Sequence, residues 1–159
     1  MEPYLAQFAA LADARAAAFL ADHGLILKSG AGFGAAILKL IKPEWTTDAP
    51  GEFLNTNGVF FSIWVDPESA GAKRLRYNLH ARKLRALKGE TFAARDFARK
   101  FRGRNAEALS AWPNLSFPKG PITLFEGHVT LTPATLPADA SGLLDRFAAL
   151  APMVDNLLA

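Results

Sequence analysis

The sequence predicts an α+β domain: an antiparallel sheet of about four to five strands with an N-terminal helix, middle helices and a C-terminal helix packed on one face. Three observations carry this expectation. Both ends of the chain place apolar residues at spacings of three and four, the period of a helix with one buried side. Residues 59–65 and 73–79 read as strands joined by a turn-rich stretch, hence as an antiparallel hairpin. Neither an internal repeat nor a low-complexity linker divides the 159 residues, so 1–159 is expected to be one globular domain.

The elements follow in order. Over 3–22, Leu5, Phe8, Leu11 (or Ala12), Ala16 and Phe19 form a helical stripe, and Gly24 supplies a stop. Leu25-Ile26-Leu27 reads as a short strand or an extended lead-in, and Ala35 to Ile41 as a second strand ending before Pro43. Thr46 to Gly58 is rich in Asp, Asn, Pro and Gly and reads as a loop. Val59 to Val65 is aromatic and β-branched throughout. After the turn at 66–71, Leu75, Tyr77 and Leu79 take one face of a strand. Arg74, Arg76, Asn78 and His80 take the other.

Ala81 to Lys88 reads as a short helix closed by Gly89. A second helix begins near Thr91, with Ala94, Phe97, Ala98 and Phe101 as its apolar stripe and Arg95, Arg99 and Arg102 opposite. Residues 105–111 add a further turn or two. Ile122 to Phe125 and His128 to Leu131 flank Glu126-Gly127, giving either a tight hairpin or one bulged strand. Pro133 and Pro137 bracket a linker. The last helix starts near Ser141, and Pro152 breaks or kinks it.

Composition narrows the function classes. Half the residues are hydrophobic and 21% are charged, which argues for a packed core and against disorder. With no Cys, disulfides, thiolate metal sites and Cys nucleophiles are excluded. No apolar run has the length of a membrane span, and Met1-Glu2-Pro3-Tyr4 lacks the start of a secretory signal, so a cytoplasmic location without a membrane partner is expected.

The charge is unevenly placed. Twelve of the eighteen Lys and Arg lie between Lys73 and Arg104, against only Glu90 and Asp96, a local net of +10. The remainder holds six bases and thirteen acids, a net of −7. Arg outnumbers Lys eight to four in the basic segment, and the planar guanidinium suits bidentate phosphate contact.

The first expectation is therefore a small non-catalytic binding domain. Its Arg-rich strand–helix face would engage a polyanion, nucleic acid first, through Arg74, Arg76, Lys83, Arg85, Arg95, Arg99 and Arg102. No groove-reading motif or exposed aromatic platform accompanies them. The acidic remainder equally supports a solvated structural face, its carboxylates paired with these cations.

An alternative from another class is a small-molecule-binding protein or enzyme with a pocket near Trp45, His80, Glu126 and His128. The histidines show neither H-x-x-x-H nor H-E-x-x-H spacing, so no metal or cofactor is expected and each reads as a surface or cap residue. A third alternative is a structural or self-associating domain, a homodimer in the simplest case.

Two further motifs have bland readings. Gly30, Gly32 and Ala35 satisfy the G-x-G-x-x-G/A spacing of a pyrophosphate loop. The following segment is too short for the required helix, so a flexible turn is expected. Trp64 reads as core and Trp112 as a packed corner, while Trp45 could line a pocket or a partner surface.

Overall fold

A computed structural model describes residues 1–48, 53–54 and 57–159. Helix α1 (Glu2–His23) ends at Gly24, whose left-handed backbone lets its N–H bond the Leu20 carbonyl. Strands β1 (Ile26–Gly32) and β2 (Ala35–Ile41) form a hairpin. A 3-10 turn at Pro43–Trp45 leads toward β3 (Gly58–Val65). The one-turn helix α2 (Pro67–Gly71), capped by Asp66, connects to β4 (Arg74–Arg82). Three helices follow, α3 (Leu84–Lys88), α4 (Ala94–Arg104) and α5 (Ala106–Ser110), then β5 (Thr123–Thr130) and α6 (Leu136–Leu158). The five strands pair in chain order, each antiparallel to the next, so the predicted α+β arrangement is the observed one.

Alternation divides the sheet into two faces. Leu27, Leu38, Leu40, Phe61, Ile63, Leu75, Tyr77 and Leu79 point to the side covered by α1 and α6. There Phe147 of α6 stacks on Phe61 at 4.5 Å between centroids, with 4° between their planes. Trp112 packs against Phe61, Tyr77 and Phe125, the corner its position before Pro113 predicts.

Several boundaries differ from expectation. Residues 81 and 82 extend β4, because Ala81 and Arg82 still pair with β3. Of the two readings of 122–131, the single bulged strand is the observed one, and Glu126-Gly127 does not turn. Residues 123–130 are one strand with a register shift opposite Leu79 and His80. At Gly127 a Cβ would stand 2.3 Å from the Tyr77 hydroxyl oxygen, so only glycine admits that hydroxyl, which donates to the Pro113 carbonyl at 2.6 Å.

Helix α6 begins at Leu136, so Pro137 lies in its first turn, where no N–H is needed, rather than in a linker. It also runs through Pro152 to Leu158. The buried stripe of Phe147, Ala151, Val154 and Leu158 outweighs one lost backbone bond. Among the described residues no helix is long and apolar enough to cross a membrane.

Candidate functional site

The face of the sheet away from α1 and α6 carries the chemistry. Register aligns its residues in rows across the strands. Ile37, Trp64, Arg76 and His128 form one row, and Lys39, Ser62, Asn78 and Glu126 the next. Beyond these lie Phe60, His80 and Thr123, and then Arg82 at the end of β4, opposite Gly58.

The Ser29–Ala35 stretch, read above as a flexible turn, is mostly strand. The turn is only Phe33-Gly34, with φ of 54° and 75°, the pair of left-handed residues that a two-residue hairpin needs. The glycines before it have another purpose. A Cβ on Gly30 would lie 2.6 Å from the Phe53 ring, and one on Gly32 would lie 2.2 Å from Leu54. Bare backbone on this side of β1 lets Phe53 and Leu54 fold down over the sheet. No helix follows the glycines, so nothing in this stretch offers the helix N-terminus of a dinucleotide loop.

Under that cover is a cavity of about 400 Å³, within the range that holds small organic molecules. Its two halves differ. Toward the Phe33 turn the walls are apolar: Ala35, Ile37, Leu54 and Trp64. Toward the other end stand Lys39, Ser62, Asn78, His80 and Arg82, with Phe60 between them. Asp66 also borders the cavity, but its carboxylate accepts the Ser69 backbone N–H at 2.7 Å. That bond holds its pKa below the usual carboxylate value.

Lys39 is only 6% exposed. Its ammonium donates to the Phe53 carbonyl and lies over the rings of Phe53 and Phe60 at 4.8 and 4.6 Å. Burial pushes its pKa down to about 8, with smaller downward pulls from Lys28 and Arg82 and an upward one from Asp48. His80 is also lowered, chiefly by burial, against an upward pull from a hydrogen bond to the Ile122 backbone and with smaller downward pulls from the Arg82 and Lys39 charges.

Asn78 Nδ2 donates to His80 Nε2 at 2.8 Å, so the imidazole is neutral there and its proton sits on Nδ1, 3.0 Å from Thr123 Oγ1. The other amide atom, Asn78 Oδ1, is buried and is the acceptor that no hydrogen bond reaches among the described side chains.

The sequence-predicted residues divide among three places. His80 lines the cavity. Glu126 and His128 share its sheet face but stand one strand further on, outside the walls. Burial, Arg74 and Arg76 together lower the His128 pKa. Trp45 lies on the helix side of the sheet, against Phe147, with its Nε1–H donating to Asp155 at 2.8 Å. Among the described residues no three His, Asp or Glu side chains gather as a metal site. Trp64, expected in the core, is on the open face because it has the parity of Ser62 and Phe60, and Arg76 stacks over it at 5.1 Å.

Of the arginine-rich set, Arg74 and Arg76 project from the open sheet face. Lys83, Arg85, Arg95 and Arg99 lie instead around a groove beside α3 and α4. Arg99 is paired with Asp96. Arg102 is a wall-builder: its guanidinium donates to the carbonyls of Pro118, Gly120, Thr123 and Leu124 at 2.7–3.1 Å.

Lys39, Ser62, Asn78, Arg82 and Trp64 were not singled out as site residues from sequence. One signal was available: Lys39 is the lone charge in the apolar run 35–41, at a position that alternates away from Leu38 and Leu40. Comparisons with protein-family models, curated proteins and solved structures find no match to this chain.

Proposed function

We propose that the protein binds a small organic anion with an apolar body in the cavity on the open face of its sheet. The observation that carries this reading is the cavity's division into an apolar half around Ile37 and Trp64 and a basic half around Lys39 and Arg82. A carboxylate or phosphate in the basic half would meet charged donors where water is scarce, which strengthens each contact. The apolar body would cover Ile37 and Trp64. Arg76 and Arg74, on the same face, add to the field that draws an anion in. Of the pocket expected near Trp45, His80, Glu126 and His128, this reading keeps only His80.

Trp64 supplies the readout. Benzoate and hexanoate are expected to perturb its fluorescence and to raise the melting temperature saturably, and inorganic phosphate to do so less at equal concentration. Arg82→Gln should weaken both organic anions. If phosphate matches benzoate, the apolar half has no role; if none of the three binds, the reading fails. The cations expected to take a polyanion are split: Arg74 and Arg76 share this face, while Lys83, Arg85, Arg95 and Arg99 stand beside α3 and α4.

A further inference from the structure

A groove runs between α3, the start of α4 and the Gly120–Ile122 segment, separate from the sheet cavity and sharing only Ile122 with it. Its floor is aliphatic, made by Leu84, Ala86, Ala94 and Pro121, around a volume of about 610 Å³. Ile122 is 57% exposed, an apolar side chain left facing solvent at the groove's edge. Three cations stand on the rim, Lys83, Arg85 and Arg95, and among the described residues no acidic one lines the groove. Among the described residues none of the three has an ion pair; Asp96, the nearest acid along α4, is taken by Arg99 and Lys100. The groove continues along α4 past Arg99, and there Arg102 fastens the opposite wall through its carbonyl contacts. Lys83 itself has a left-handed backbone, φ 50°, a conformation unfavourable for lysine that sets the side chain on the rim.

We infer that this groove docks an acidic amphipathic peptide segment of a partner protein, with aliphatic side chains on the floor and carboxylates on Lys83, Arg85 and Arg95. Charge complementarity selects an acidic occupant. The floor selects a peptide over nucleic acid, because among the described residues no aromatic ring lines the groove for a base to stack on, while aliphatic side chains fit such a surface as helix or strand anchors. The inference is independent of the anion cavity.

The test is selection of random twelve-residue peptides on the whole protein, with counter-selection on an Arg85→Glu, Arg95→Glu variant. Labelled versions of the enriched peptides are then titrated by fluorescence anisotropy beside a dT oligonucleotide and an RNA oligonucleotide. Enriched peptides should carry Asp or Glu beside Leu, Ile or Val, and should lose about tenfold or more in affinity on the double variant and on Ala86→Glu. Ala86 is exposed, so that substitution changes the floor without touching the core. An unchanged melting temperature for each variant shows that the fold is intact. The inference is overturned if no enriched peptide depends on Arg85 and Arg95, or if the oligonucleotides bind more tightly than the peptides. It is equally overturned if sedimentation shows a second copy of this chain occupying the groove, with association lost in Ala86→Glu.

Discussion

The two faces of the sheet are built from the same strands and differ in every second residue. On the helix side, Phe61, Ile63, Tyr77 and Leu79 meet α6 and one another with little room left. On the open side, Ser62, Asn78 and His80 occupy the intervening positions, and Lys39 reaches under Phe53. The first face is settled by close packing, where any lost volume is felt. The second is covered, among the described residues, by Phe53 and Leu54 over bare glycines and keeps a cavity among polar groups. One set of strands thus carries stability on one side and a candidate site on the other, and mutation is expected to separate the two.

The largest expected effect lies on the helix side. Phe61→Ala removes the ring that stacks on Phe147, and equilibrium unfolding in urea should show a loss of about 3–5 kcal/mol. A loss near that of a surface substitution would break the comparison. On the open side the ranking inverts. Lys39→Met keeps similar volume, so stability should stay within about 1.5 kcal/mol, while benzoate affinity falls by about tenfold or more. Equal losses in both measurements would show that the two faces are not energetically distinct.

Acid–base behaviour sharpens the same point. Lys39 is held near 8 in the folded protein and returns to 10.5 when unfolded. Between those values the unfolded chain binds more protons, so this group makes the free protein more stable as pH rises from about 8 toward 10.5. Anion binding should run the other way, weakening as the ammonium is lost above about pH 8. Unfolding and benzoate titrations over that window should therefore diverge, and in Lys39→Met both slopes should flatten.

The smallest effect is at the cavity mouth. Phe33 is 77% exposed in a left-handed turn position that suits Asn better. Phe33→Asn should raise stability by about 0.5–1 kcal/mol in urea unfolding and weaken hexanoate binding slightly. A loss of stability would mean the exposed ring supports the fold.

Strand alternation was legible because its period is short. Leu75, Tyr77 and Leu79 against Arg74, Arg76, Asn78 and His80 could be assigned to opposite faces from sequence and lie there in the fold. The stripe on α1, the stop at Gly24 and the 59–65 strand were legible for the same local reasons. Trp64 was misplaced because β3 is buried on both sides, so hydrophobicity alone does not tell which parity faces the helices. Gly30 and Gly32 were misread because a missing Cβ signals a turn locally. Here it serves a contact with Phe53 and Leu54, more than twenty residues along the chain. Trp45 was grouped with His80, Glu126 and His128 by residue type, and the sheet separates it from them.

By itself the sequence determined the fold class, the division of each strand into two faces and the concentration of cations between Lys73 and Arg104, since periodicity and charge are local properties of the chain. Only the tertiary structure decided which face stayed open. It also divided the arginines among the sheet, the groove and the loop carbonyls that Arg102 holds, and it brought Lys39, His80 and Arg82 together. Those outcomes depend on pairing register and on which helices cover the sheet, and both are set by contacts between residues far apart in sequence.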